Sequence, residues 1–298
     1  TRTKHYFYRV RKYSLRMRLI AMLALCVGVA ASRSASAQQR PFNKQRVTYT
    51  NGSNTLVGYV YKPDGAGPFP TLVWNHGSEP NPGGGPQFDS VAAIFVPAGY
   101  VVVAPTRRGH GQSQGTYIQD TIKATFQRSG GAAAKRLMVQ LMGSEQLDDQ
   151  LAGLSYAKTL AFVDTNKLVV AGCSYGGIET MLAAERGAGF KAAMPISPAA
   201  LSWRGHTVLQ NRLIDAVRRI DMPVLLIQPP KDASLEPAKV LGAEAKRLGK
   251  TRFTAKVYPA TMPDSQQAHC FGGAKGMHNW AQEALEFFGG VVGTRRDR

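Results

Sequence analysis

Ser174 stands in the hexapeptide GCSYGG, residues 172–177, immediately after the apolar run NKLVVA. A serine hydroxyl is a weak nucleophile. It attacks a carbonyl only when a base takes its proton and fixed donors hold the oxyanion that forms. The spacing G-x-S-x-G serves that chemistry when the serine occupies a sharp turn from strand to helix. Gly172 and Gly176 then give strand and helix clearance, and the Tyr175 amide, at the helix N-terminus, is a ready oxyanion donor. Cys173 is a second nucleophile by type, but the register sets Ser174 at the apex and turns Cys173 toward the core. Taken alone, the hexapeptide also fits a glycine-rich turn with a capping serine, so its flanking elements decide between the two.

Three histidines follow Ser174 and are candidates for the base: His206, His269 and His278. His206 precedes the last strands and sits on the leading edge of a helix, which disfavours it. His278 lies close to the final helix, as a cap or surface residue would. The segment PPKDASLEP offers Asp232 and Glu236 as the acid, and Glu236 reads as first-turn helix decoration. Asp221 precedes its strand, at the wrong edge of the sheet, and Asp264 is too near the histidine in sequence.

These residues need a scaffold, and the rest of the chain supplies one. QRVTYT and NTLVGYVYKP flank NGSN, a hairpin signal. TLVWNHG, YVVVAPTRRG, KLVVAGCS, FKAAMPIS, MPVLLIQPP and TRFTAKVYPA read as strands. Between them lie helical patterns at 88–99, 144–160, in GGIETMLAAERG, HTVLQNRLIDAVRRI and EPAKVLGAEAKRLG, and in the closing NWAQEALEFFGG. Strands apolar on both faces, alternating with helices, specify a mostly parallel central sheet with helices on both faces. The fold class is therefore α/β, in one domain over residues 38–298. The stretch 112–143 is the least periodic and is expected to be a short lid or insertion beside the sheet's carboxyl edge.

Together VDTNKLVVAGCSYGG, TLVWNHGS and TRRGHGQSQG resemble the elbow, oxyanion loop and post-strand turn of α/β-hydrolases. The resemblance is closest to the dienelactone-hydrolase-like group, whose relatives include the catalytic domains of prolyl-oligopeptidase-type peptidases. It covers roughly residues 46–290. It implies an α/β-hydrolase fold and a chain order Ser…Asp…His, with Ser174 as nucleophile, Asp232 as the acid and His269 as the base. AHCFGG is similar to the family's terminal H-G-F turn, with Cys270 in place of the usual glycine. The second oxyanion donor implied by the H-G-x turn is the amide of Ser78. His76 is then structural, and Arg108, Gly109, His110 and Gly111 brace a loop.

The activity so implied is that of a serine hydrolase, most simply a carboxylesterase that cleaves small-molecule esters through an acyl-enzyme. The alternatives are a prolyl-oligopeptidase-like serine peptidase and, from a different class, a non-catalytic binding protein of the same fold. Trp74 and Trp203 are candidates for the substrate pocket. No metal and no organic cofactor is expected.

Charge and leader bear on partners and place. The chain carries 37 Lys and Arg against 19 Asp and Glu, a net +18. Eight of those basic residues and no acidic one fall within residues 1–37. The remaining excess is spread thinly and no nucleic-acid-binding motif is present, so no nucleic-acid partner is expected. The N-terminal cluster belongs to a leader: RVRKYSLRMR is a basic segment, LIAMLALCVGVAA at 19–31 an apolar one, and ASA at 35–37 a small-residue cleavage site. Met17 is a plausible start. The mature chain is expected to begin near Gln38, periplasmic or secreted, without stable membrane insertion. Cys26 leaves with the leader; Cys173 and Cys270 remain, with free thiols the default and one bridge between them the alternative.

Overall fold

Apolar runs with no polar alternation have no face to turn to water, and in the computed structural model they become central strands covered on both sides. Residues 43–79, 81–84, 88–258 and 268–293 are described; the expected leader lies outside them. Strands β1 (Asn43–Asn51) and β2 (Asn54–Lys62) form the hairpin, with Asn51 opposite Asn54 and Gly52 at φ 59° in the turn. Then follow β3 (Phe69–Asn75), β4 (Val101–Thr106), β5 (Val163–Cys173), β6 (Phe190–Ile196), β7 (Val224–Gln228) and β8 (Phe253–Val257). The sheet order is β1-β2-β4-β3-β5-β6-β7-β8. The β1-β2 and β2-β4 pairs are antiparallel, and every other pair is parallel.

Among the described residues the α-helices are α1 (Asp89–Phe95), α2 (Ile118–Leu141), α3 (Leu147–Ala157), α4 (Tyr175–Arg186), α5 (Thr207–Arg219), α6 (Glu236–Arg247) and α7 (Ala281–Val292). Alternation along β5 assigns them to two cores. Leu168 and Val170 pack with Leu154 of α3, Ile178 of α4, Leu213 of α5 and Leu241 of α6. Val169 and Ala171 point the other way, to Val91 and Phe95 of α1 and Ala284 and Phe288 of α7. Burial of each such leucine or phenylalanine is worth about 1.5–3 kcal/mol. Among the described residues no helix is long and apolar enough to cross a membrane.

The expected short lid at 112–143 is instead built largely from the long helix α2. Gly130 departs from helical angles (φ 76°, ψ 174°) and divides it, and a π-helical turn, Met142–Gln146, joins it to α3. Only Ile118, Ala134 and Val139 of α2 are fully buried. A helix that presents so little to the core carries no strong apolar period, which is why the sequence read as irregular.

Candidate active site

β3 has β4 on one side and β5 on the other, so the chain leaves β3 in one direction and later returns in the other. In open parallel sheets this reversal leaves a crevice at the strands' carboxyl ends. The loop after β3 and the turn after β5 meet there.

Ser174 is the hinge between β5 and α4, at φ 60° and ψ −117°. A non-glycine residue rarely adopts such angles, at a cost of about 1–3 kcal/mol. Its amide is fixed by the Ile196 carbonyl at 3.0 Å, and its own carbonyl accepts from Ile178 N at 3.1 Å. The flanking glycines are steric necessities: a Cβ on Gly172 would stand 2.6 Å from the Gly176 carbonyl, and one on Gly176 would collide with the Asn75 carbonyl. Tyr175 opens α4, where the first amides have no partner within the helix.

Asp232 lies in the loop between β7 and α6, its carboxylate buried, and accepts from His269 Nδ1 at 2.8 Å. Ala233 N donates to Asp232 Oδ1 at 2.8 Å, and Gln228 Nε2 donates to Oδ2 at 3.3 Å. Gln228 is itself held by Ser234 O and Ala238 N. Since a carboxylate only accepts, Nδ1 carries the imidazole proton and Nε2 keeps its lone pair. Nε2 is buried and has no hydrogen-bond partner among the described residues. His269 and Ser174 line the same cavity, of about 630 Å³. The two other histidines stand elsewhere. His206 Nδ1 accepts from Leu209 N at 3.2 Å and caps α5. His278 is exposed and bonds the Lys275 carbonyl at 2.9 Å. Glu236 is in the first turn of α6.

The free-thiol expectation is corrected. Cys173 and Cys270 form a disulfide across 97 positions of sequence, with Cα atoms 6.0 Å apart. Cys173 therefore does not simply enter the core; both cysteines are half-buried and border the cavity. The fold, and not local spacing, brings them together at the ends of β5 and of the chain's last loop.

The loop after β3, where Ser78 was expected as an oxyanion donor, is held by a residue that the sequence did not single out. Arg107, fully buried, donates from Nη1 to the His76 carbonyl at 2.7 Å and from Nη2 to the Gly77 carbonyl at 2.9 Å. Its backbone amide donates to His76 Nε2 at 3.1 Å, so His76 bears its proton on Nδ1 and gives it to the Gly77 carbonyl at 2.9 Å. Burial, then the Arg107 charge, holds the His76 imidazole well below its ordinary pKa, so it is a neutral strut. Ser78 follows, exposed and on the cavity wall. The signal for Arg107 was its place just after the apolar run Val101–Pro105 and Thr106, where a charge must find partners.

Arg108 turns the other way, with Nε and Nη2 donating to the buried Asp149 at 2.8 Å each and Nη1 to Glu145 at 2.7 Å. His110 packs edge-on between His76 and Tyr117. Gly109 and Gly111 both take positive φ, and a Cβ on Gly109 would collide with the Tyr117 backbone. The segment 108–111 is a brace.

The cavity wall draws on both cores: Met138 of α2, Met142, Ile178 and Ala199 pack with the core on one side of the sheet, and Trp74, Phe88, Val91, Met277 and Trp280 with the core on the other; Leu201 adds to the wall. Trp74 and Trp280 stack with centroids 6.2 Å apart. Trp203 does not reach the cavity. It is buried in the core behind it, its carbonyl accepting from Gln210 Nε2 at 2.6 Å, because the turn after β6 presents Leu201 and Ser202 instead.

The model of the prolyl oligopeptidase family (Peptidase_S9) matches residues 130–218, a segment that holds Ser174 but neither Asp232 nor His269. No curated protein matches the chain in sequence. Among solved structures, the acylaminoacyl peptidase of Pyrococcus horikoshii is 18% identical with a TM-score of 0.61, over 84% of this chain and 42% of that one. The chain thus spans less than half the length of that peptidase. Esterase Pf2001 of Pyrococcus furiosus is 17% identical with a TM-score of 0.61, over 85% of this chain and 94% of that one. Est1E of Butyrivibrio proteoclasticus, solved with ferulic acid bound, is 20% identical with a TM-score of 0.58, over 83% of this chain and 99% of that one. The sheet order, the serine hinge at the switch point and these likenesses agree: the chain is an α/β-hydrolase-fold protein.

Proposed function

We propose that this protein is an exported serine hydrolase that cleaves carboxylic esters through an acyl-enzyme. The observation that carries the reading is the His269 Nδ1 to Asp232 Oδ1 bond of 2.8 Å, with an unpartnered Nε2 in the cavity that Ser174 lines. His269 Nε2 takes the Ser174 proton as Oγ attacks the ester carbonyl, and Asp232 stabilises the imidazolium. The amides of Tyr175 and Ser78 receive the oxyanion, each donor worth about 3–4 kcal/mol in comparable sites. Protonation by His269 expels the alcohol; water, activated by the same imidazole, then releases the acid.

The apolar cavity favours esters of hydrophobic acids. Its tryptophan-lined part suits an aromatic acyl group, in keeping with the ferulic acid bound to Est1E. The peptidase reading draws on the prolyl oligopeptidase family match over 130–218. One assay separates the readings: purified protein on p-nitrophenyl esters of graded acyl length, an alkyl ferulate and a prolyl-p-nitroanilide, beside Ser174→Ala. Ester turnover lost in Ser174→Ala is expected. Activity that survives the substitution removes the mechanism, anilide turnover without ester turnover selects the peptidase, and silence on all three favours a binding role. Export rests on the basic, apolar and ASA segments of residues 1–37. Expression in a bacterial host, followed by N-terminal sequencing of periplasmic and medium fractions, should give a start near Gln38.

A further inference from the structure

We propose that the Cys173–Cys270 disulfide is the positioning device of this site, so that turnover depends on the oxidised bond. The inference rests on the hydrolase reading above. Each half-cystine is the chain neighbour of a reacting residue, Cys173 of Ser174 and Cys270 of His269. The bond therefore joins nucleophile and base through the shortest covalent path that side chains allow.

The two ends differ in how firmly the rest of the fold holds them. Cys173 closes β5, the strand paired with β3 on one side and β6 on the other. It is anchored by the middle of the sheet. His269 begins a tight irregular turn outside the sheet, where Cys270, Phe271 and Gly272 adopt left-handed angles in succession, at φ 54°, 58° and 71°. Two consecutive non-glycine residues in that region persist only where neighbours over-determine them. Phe271 has such neighbours: it is fully buried and packs edge-on against Tyr258. Cys270 is only half-buried, and its bond to Cys173 is the covalent restraint that ties it to β5. The Asp232 hydrogen bond orients the imidazole but does not fix the His269 backbone against β5. Loss of the crosslink lets Cys270 leave its left-handed angles and carries Nε2 away from Ser174. A displacement of about 1 Å in such a constellation costs roughly a hundredfold in rate.

Both cysteines border the cavity, so a small dithiol reaches the bond in the folded protein. A dithiothreitol thiolate attacks one sulfur and releases the other as a thiolate. Its second thiol then closes the six-membered disulfide ring and frees the remaining cysteine. Two electrons pass from dithiothreitol to the protein, which gains two protons as free Cys173 and Cys270.

The test uses the full chain in oxidised, reduced and reoxidised form, together with the Cys173→Ala/Cys270→Ala double variant. Ester turnover, Ser174 labelling by a fluorophosphonate, circular dichroism and thermal melting are read on each. The expected result is a reduced protein, still cooperatively folded at the assay temperature, with kcat down about 10- to 100-fold and KM within about threefold. Labelling slows in parallel, reoxidation restores the rate, and the double variant matches the reduced enzyme and ignores reductant. Reduced enzyme with kcat within twofold of oxidised overturns the proposal. So does a loss that tracks the unfolded fraction or that leaves turnover per folded molecule unchanged, since the bond would then be a staple of the fold alone. If the oxidised wild type neither turns over esters nor labels at Ser174, the hydrolase reading itself fails and takes this inference with it.

Discussion

His269 Nδ1 stands 2.8 Å from Asp232 Oδ1, and Gln228 Nε2 holds the other oxygen of the same carboxylate at 3.3 Å. The pair fixes one tautomer of the imidazole. In Asp232→Asn the amide nitrogen can face Nδ1 and reverse that tautomer, which leaves Nε2 protonated and unable to accept from Ser174. We expect kcat on a p-nitrophenyl ester to fall by about 10⁴, as in other triads, with KM little changed. His269→Ala should match Ser174→Ala, because residues that act as one unit cost about the same singly. His278→Ala should remain within twofold of wild type, given that its only bond among the described residues is to the Lys275 carbonyl at the surface. A loss in His278→Ala equal to that of the serine variant would reassign the base.

Arg107 holds the loop after β3 as Gln228 holds the Asp232 carboxylate, and on the proposed mechanism the former carries the Ser78 donor. Its guanidinium satisfies the His76 and Gly77 carbonyls, and Arg107→Leu takes these donors from the buried His76 carbonyl and from the half-buried Gly77 carbonyl, which keeps His76 Nδ1. The expected cost is about 2–5 kcal/mol in stability, read by urea denaturation, with kcat reduced as the Ser78 amide loses its register. Arg107→Lys keeps a charge but lacks the fork that reaches two carbonyls together, and should fall between leucine and wild type in both measurements. Equal stability of Arg107→Leu and wild type would contradict this role.

What the sequence made legible follows from how far each signal reaches. The elbow's signal is local, with Gly172, Ser174 and Gly176 within five residues, although the main clash that requires those glycines is with Asn75 at the end of β3, far off in sequence. The apolar strands are local too, so the α/β architecture could be read without coordinates. The Cys173–Cys270 bond joins residues 97 apart, and two cysteines in a chain of this length carry no spacing signature. The helical character of 118–141 was hidden by Gly130 and Gly131 at its middle and by its few buried positions. Trp203 misled because an aromatic residue near a predicted loop reads equally as pocket or core. Only the register of the turn after β6 distinguishes them.

Chain-length preference should respond to the methionine-lined part of the cavity. Unbranched thioether side chains adapt to flexible acyl chains, and each buried methylene is worth about 0.8 kcal/mol, roughly fourfold in kcat/KM. Met138→Trp fills that space and should lower the octanoate-to-acetate ratio of kcat/KM by about tenfold or more. Trp203→Phe, behind the wall, should leave the ratio unchanged. The p-nitrophenyl ester series measures both, and an unaltered ratio in Met138→Trp would place the acyl chain elsewhere in the cavity.

Glu179, on the buried face of α4, should give stability an unusual pH dependence. Burial pushes its pKa up from 4.5 to about 8; the Arg107 charge opposes that rise without cancelling it. The hydrogen-bond geometry explains the weak opposition. Arg107 directs Nη1 and Nη2 at the His76 and Gly77 carbonyls rather than at Glu179, whose oxygens have no hydrogen-bond partner among the described residues beyond a minor influence of the Tyr175 hydroxyl. In the unfolded chain Glu179 loses its proton near 4.5, whereas in the folded chain it keeps it up to about 8. The folded state then binds more protons throughout that window, so this group's contribution is fully present below about 4.5 and is lost as pH rises through about 8. Glu179→Gln retains the shape of the neutral acid and has no proton to release. The difference in Tm between Glu179→Gln and wild type should therefore move in favour of the variant as pH rises from 5 to 8.5. Contributions from titrating groups not coupled to Glu179 cancel in that difference. A difference that stays constant, or that moves in favour of wild type with rising pH, would mean that Glu179 is ionised in the folded protein and paired with Arg107 after all.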